Sequence, residues 1–127
     1  MAQLTLFDSR ASVLADDERG RIAYIPGFVD DPTASAWFTE LRREVKWRSE
    51  RRTMYDPGVD VPRLIGSFRL DQPGSAPDAI LDAERRVVER LDVPFNSVGL
   101  NLYRDGRDSV APHNDHLSEI VFRTCLA

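Results

Sequence analysis

The stretch "LNLYRDGRDSVAPHNDH", residues 100–116, decides how the rest of the chain is read. With the three residues before it, it gives "SVGLNLY". Strand side chains alternate, so Val98, Leu100 and Leu102 fall on one face and Asn101 and Tyr103 on the other. Asp105-Gly106 is a turn signal. "SVAPHNDH" then resumes an extended segment, because Pro112 disfavours helix at the residue before it. In extended chain, residues two apart share a face, so His113 and Asp115 can reach one metal ion together while Asn114 turns away. An imidazole and a carboxylate are two members of the two-histidine, one-carboxylate set that holds iron(II) and leaves positions open for a co-substrate and dioxygen. By itself His-x-Asp is a weak pattern, and a surface histidine beside an aspartate is the commoner case. The amide of Asn101 and the phenol of Tyr103 add hydrogen-bond donors suited to an acidic co-substrate. The competing reading makes them a turn-adjacent polar residue and an amphipathic strand aromatic.

Working upstream, "SAPDAILDAERRVVERLDVP" predicts a helix from about Pro77 to Leu91, with Ile80, Leu81, Val87, Val88 and Leu91 as its buried stripe. "DDPTASAWFTELRREVKW" predicts another. Asp30 or Asp31 is its N-cap, Pro32 sits at the first helical position, and Trp37, Phe38, Leu41 and Val45 lie on one face. Between the helices, residues 49–74 contain prolines and glycines and read as loops or a hairpin with short strands. "RIAYIPGF", Arg21 to Phe28, reads as a short buried strand ending at Pro-Gly. Residues 1–20 read as a loosely attached amino-terminal arm, and residues 21–127 as one domain. Two helices preceding a β region place the chain in the α+β class.

The bulk composition narrows the function classes. A chain of 127 residues with 42% hydrophobic content fits one domain with a modest core. Charged residues make up 30%, and the mean hydropathy of −0.38 is that of an ordinary soluble protein. No apolar run approaches membrane-spanning length, and the amino terminus lacks the basic start and apolar core of a signal peptide. A single cysteine, Cys125, excludes an internal disulfide and fits a reducing, cytoplasmic setting.

The net charge of −4 argues weakly against a non-specific nucleic-acid binder. The distribution is uneven, however. From Arg42 to Arg69 eight basic residues face four acidic ones, a local net of +4 that leaves −8 for the remainder. All but one of the chain's basic residues are arginine, whose planar donor fork suits phosphate and stacks on flat rings. The bland alternative is a solvated helix face with a compositional bias.

Asn-x-Tyr, a Gly-x-Asp turn and His-x-Asp, in this order, resemble the AlkB family of iron(II)- and 2-oxoglutarate-dependent dioxygenases, in particular the branch that removes alkyl groups from nucleic-acid bases. "YIPGFVD" leading into an amphipathic helix, and "RRTMYDPGVDVPRL", resemble the family's amino-terminal entry and its substrate-contacting segment. The likeness covers most of the chain from about Tyr24 and is most specific from Asn101 to Asp115. It implies helices packed on a double-stranded β-helix (jelly-roll) core. It also implies iron(II) held by His113 and Asp115, and 2-oxoglutarate held by Asn101 and Tyr103. Substrate contacts would come from Met54, Tyr55 and Arg63, with Arg51 and Arg52 nearby. The chemistry implied is hydroxylation of the alkyl carbon on a base, which leaves as an aldehyde, with succinate and carbon dioxide as co-products. The expected partner is alkylated DNA, single-stranded, or RNA, bound by a monomeric protein with no membrane association.

The family pattern also calls for a second histidine ligand and an arginine facing the 2-oxoglutarate carboxylate, downstream of His-x-Asp. Here the only other histidine is His116, poorly placed for that role, and "EIVFRTCLA" departs from the pattern. The expectation is therefore an incomplete dioxygenase domain, truncated or frameshifted near Glu119 to Phe122, with its carboxy-terminal strands missing. Two alternatives accompany it: a catalytically inactive nucleic-acid-binding fragment of the same family, and an unrelated small α+β domain.

Overall fold

The computed structural model describes residues 10–52 and 59–110. The chain first forms β1 (Ser12–Asp17) and β2 (Gly20–Tyr24), an antiparallel pair running from Ser12–Tyr24 to Asp17–Gly20, with an irregularity between Val13 and Ala15. The Asp17 carboxylate closes the turn, accepting the Arg19 backbone N–H at 2.9 Å and its guanidinium at 2.6 Å. Two expectations change here. Residues 12–17, read as part of an arm, form a strand, and β2 is exposed along its whole length rather than buried. A two-stranded ribbon pairs its backbone without a second layer, so Ile22 and Tyr24 remain 58% and 41% exposed.

Helix α1 (Asp31–Glu44) starts as its sequence dictates. Asp30 is the N-cap, its carboxylate accepting the Thr33 N–H at 2.7 Å, and a proline occupies the first turn. Arg42 and Arg43 lie in the last turn, where cations complement the helix dipole. Val45, expected on the helical face, is instead the C-cap with extended backbone, and it is only 6% exposed.

Helix α2 (Asp78–Leu91) begins after Pro77, which offers no side-chain cap, and ends at Asp92 in the left-handed region (φ 54°). The missing cap comes from α1: the Glu40 carboxylate accepts the Ala79 N–H at 2.8 Å. Ala79 and Ile80 are buried, and the Arg86 guanidinium lies 5.3 Å from the Trp37 ring centroid. The predicted apolar stripes are thus only partly covered: Phe38, Leu81 and Leu91 stay exposed.

The second sheet is antiparallel, with order β3-β4-β5: β3 (Arg48–Arg52), β4 (Val59–Arg69) and β5 (Ser97–Leu102). The region expected as loops or a short hairpin is a hairpin with one long strand of 11 residues. Its register pairs Arg48 with Ile65 on one side and Ile65 with Asn101 on the other. Along β5, Val98, Leu100 and Leu102 are half-buried while Ser97, Gly99 and Asn101 are exposed, the alternation read from sequence. The described strands form no closed barrel, and the mixed content fits the α+β class.

One contact ties α1 to this sheet. Val45 and Trp47 lie over Gly66 of β4, and a Cβ placed on Gly66 would come 2.6 Å from Val45 Cγ1 and 3.6 Å from the Trp47 ring. Only a residue without a side chain permits that approach. Gly66→Ala should therefore destabilise the protein by about 1–3 kcal/mol, the range for overpacking. Adding Val45→Ala, which removes the clashing methyl group, should make the double variant more stable than additivity predicts. Urea unfolding of the two single variants and the double variant measures both effects.

Candidate functional site

Among the described residues, no other helix or strand packs on the face of β3-β4-β5 opposite Val45 and Trp47, which leaves that face open. Directly opposed residues of an antiparallel sheet share a face. The register therefore sets Arg48, Ile65 and Asn101 in one row across the three strands. Arg63 is two residues from Ile65 along β4 and lies on the same face. Tyr103, just past the end of β5, comes after Asn101 at the same two-residue spacing and is exposed. Among the described residues neither the Asn101 amide nor the Tyr103 hydroxyl has a hydrogen-bond partner. Both are available to a ligand carboxylate.

Beyond Tyr103 the chain enters a tightly clamped turn. The Asp108 carboxylate accepts the Arg104 backbone N–H at 2.8 Å and its guanidinium at 2.8 and 2.9 Å. Inside this clamp, Asp105 accepts the Arg107 backbone N–H and guanidinium, each at 2.8 Å. The Asp108 side chain is only 7% exposed, and the Arg104 guanidinium and backbone N–H hold its carboxyl at about 2. Ser109 then donates its N–H to the Pro62 carbonyl at 2.8 Å, which returns the chain to β4 beside Arg63, four residues before His113. The clamp thus fixes both the position of Tyr103 and the point from which the His-x-Asp segment departs.

Arg63 differs from an ordinary surface charge: its Nε is buried and has no hydrogen-bond partner. Trp47 Nε1 is likewise buried and unpartnered, but Trp47 lies over Gly66 on the opposite face. An unsatisfied buried donor costs about 1–3 kcal/mol, which an arriving acceptor at Arg63 would offset.

The structure brings together three of the expected site residues: Asn101, Tyr103 and Arg63. His113, Asp115, Met54 and Tyr55 lie outside the described residues. Arg51 and Arg52 belong to β3, their backbones opposite Asp60 and Val59. Among the described residues no group of three or more His, Cys, Asp or Glu gathers around a common point. A shallow depression of about 530 Å³ runs along α1 between Ser35 and Arg43 and contains none of the expected residues. Sequence reading missed two features. Arg48 joins the Asn101 row only through strand register. The Arg104–Asp108 clamp had a signal, opposite charges four apart around a Gly turn.

The clamp makes a pH prediction. Asp108 has a folded pKa below the ordinary carboxylate value, so its stabilising effect is fully present above about pH 4. It is lost as pH falls towards 2. Asp108→Asn should lower the thermal midpoint at pH 6, and its difference from wild type should shrink between pH 4 and pH 2. Calorimetry across that range measures it; a constant difference would show that Asp108 acts through something other than its charge.

No protein-family model matches the chain. Curated relatives do. In a match of 105 residues that covers 75% of this chain, it is 30% identical to alpha-ketoglutarate-dependent dioxygenase alkB homolog 3 of Bos taurus. Identity to the Homo sapiens protein of that name is 30%, and to the Mus musculus one 28%, over the same length. The chain spans 37% of the length of each of these relatives. No described helix is long and apolar enough to cross a membrane. The chain is thus similar, over most of its own length, to part of the alkB homolog 3 dioxygenases, a distant relationship to a dioxygenase family.

Proposed function

We propose that this chain carries part of the active site of an AlkB-like, iron(II)- and 2-oxoglutarate-dependent dioxygenase that oxidatively dealkylates bases in DNA or RNA. The observation that carries the reading is the open sheet face. Asn101 and Tyr103 are presented there without partners, beside an arginine with an unsatisfied buried N–H, and the clamped turn that follows them returns the chain to β4 at Pro62. Similarity to dioxygenases supports the same reading. The three strands would then form one wall of a jelly-roll core.

The residues fit the groups the reading requires. A neutral amide and a phenol, both free to donate, suit one carboxylate of 2-oxoglutarate without competing for the metal. An imidazole and a carboxylate two residues apart suit iron(II). When bound, iron(II) and 2-oxoglutarate supply the oxidising chemistry that hydroxylates an alkyl carbon on a base. The chain's own part is to hold and orient. Asn101 and Tyr103 donate to the co-substrate, and His113 and Asp115 are the metal ligands. Arg63 offers its N–H to the target base or its phosphate. Met54, Tyr55, Arg51 and Arg52 would contact the flanking nucleotides of a base taken out of its stack. The second histidine and the co-substrate arginine of the AlkB pattern have no counterpart at matching positions within residues 1–127. The same observation favours a second reading, a binding fragment without turnover.

Three measurements separate these readings. The protein is incubated with iron(II), 2-oxoglutarate and a single-stranded oligonucleotide containing 1-methyladenine or 3-methylcytosine. Formaldehyde release that disappears in His113→Ala establishes the enzymatic reading. In parallel, 2-oxoglutarate binding in the presence of manganese(II) should weaken roughly tenfold or more in Asn101→Ala, the effect of losing a hydrogen bond to a charged group. Oligonucleotide binding without formaldehyde supports the binding reading. Absence of all three activities overturns both.

A further inference from the structure

Across the described residues, arginines are mostly matched with carboxylates. Arg19, Arg69, Arg85, Arg86, Arg104 and Arg107 each pair with a nearby aspartate. The pattern breaks at the junction of α1 with the sheet. Among the residues whose side chains are described, Arg42, Lys46, Arg48, Arg63 and Arg90 form no ion pair. Arg42 and Arg90 have a structural explanation, since each lies in the last turn of its helix, where the dipole favours positive charge. Lys46, Arg48 and Arg63 have none. Lys46 and Arg48 are exposed, and Arg63 keeps a buried N–H without an acceptor. Three described cations with neither an ion pair nor a place in a helix's last turn, in a chain of net charge −4, are a specific placement rather than an excess of positive charge.

Strand register arranges two of them. Arg48 and Arg63 share the open face with Asn101, and Arg48 is separated from Asn101 by the half-buried Ile65. Two strand spacings put Arg48 and Asn101 about 10 Å apart. A dicarboxylate small enough to sit at Asn101 and Tyr103 does not extend to Lys46 beyond the edge strand. A polyanion does. We propose that Lys46, Arg48 and Arg63 form a phosphate-binding strip that holds the backbone of a single-stranded nucleic acid across the edge of the open face, with the target nucleotide directed towards Asn101. The strip rests on the proposed dioxygenase function for the identity of the polyanion. A positively charged groove that tracks the backbone is the common basis of sequence-tolerant single-strand binding, and arginine forks match phosphate oxygens in pairs.

The test is fluorescence anisotropy of the full chain with an unmodified oligo-dT strand between 50 and 200 mM salt. Each phosphate contact contributes a slope of about −0.7 in log K against log salt for single strands. The double variant Lys46→Gln/Arg48→Gln should therefore lose about 1.4 of the wild-type slope. Arg90→Gln should leave it unchanged. The substituted residues are exposed, and unchanged unfolding midpoints verify the fold; Arg63 is left intact because its Nε is buried within β4. A wild-type slope retained by the double variant overturns the strip, as does a loss in Arg90→Gln as large per charge. Displacement of the strand by poly-glutamate at equal charge concentration would assign the surface to an acidic protein instead. Weaker 2-oxoglutarate binding in Arg48→Gln with the slope intact would assign Arg48 to the co-substrate. The two proposals fail separately. A strip that behaves as stated in a chain releasing no formaldehyde removes the catalytic reading alone, and formaldehyde release with an unaltered slope removes the strip alone.

Discussion

The close approach of Val45 and Trp47 to the backbone of Gly66 is the constraint that sets the arrangement of the site. A strand has two faces, and the larger antiparallel sheet has one of them occupied at its middle by the residue that ends α1 and the residue two beyond it. Once that face is taken, period-two alternation assigns every other position. Leu100 pairs with Gly66 and belongs with the covered side, while Asn101 pairs with Ile65 and belongs with the open one. A shift of one residue in the β4–β5 register would exchange these sets, putting an amide against the covered face and leucines into solvent. The half-burial of Val98, Leu100 and Leu102 opposes that slip. So a glycine on β4 decides, through packing, which residues of β5 can meet a ligand.

What could be read from the sequence was what is decided locally. The cap at Asp30, the proline in the first helical turn, the end of α2 near Leu91 and the turn at Asp105-Gly106 each depend on residues within four positions of one another. The pairing of Asn101 with Tyr103 on one face was legible for the same reason. Burial was not. Ile22 and Tyr24 alternate as a buried strand would, yet whether a second layer covers them is a property of the tertiary structure. The length of β4 was hidden by Pro62 and Gly66, residues that usually interrupt strands. Here Pro62 is near one end, where its carbonyl still accepts from Ser109, and Gly66 marks a close approach. Arg48 could not be singled out from its neighbours because only the β3–β4 register, with its irregularity between Ser49 and Arg51, puts it beside Ile65. His113 and Asp115, expected to hold the metal, and Met54 and Tyr55, expected to contact the substrate, lie outside the described residues, and those expectations rest on sequence pattern.

Local ion pairs carry much of the polar organisation. The Asp17–Arg19, Asp105–Arg107 and Arg104–Asp108 pairs each close a reversal of the chain with both a backbone and a side-chain contact. The Asp17–Arg19 and Asp105–Arg107 pairs are exposed and contribute little to global stability. Their effect is to select one loop geometry among many, which matters most where the loop joins two functional segments. The clamp between Arg104 and Asp108 does so: it sits between the residue expected to touch the co-substrate and the segment expected to touch the metal.

The same economy of pairing gives the charge distribution its meaning. Where arginines are neutralised by adjacent aspartates, they contribute little field at a distance. The unpaired cations at the α1–sheet junction stand out against a remainder carrying −8. At physiological salt the field decays over about 8 Å, so an approaching strand responds to the nearest few charges rather than to the net value. A low net charge therefore does not argue against nucleic-acid binding when the cations are concentrated and the anions are occupied. It argues against binding anywhere else, and orients a bound strand relative to the open face carrying Asn101.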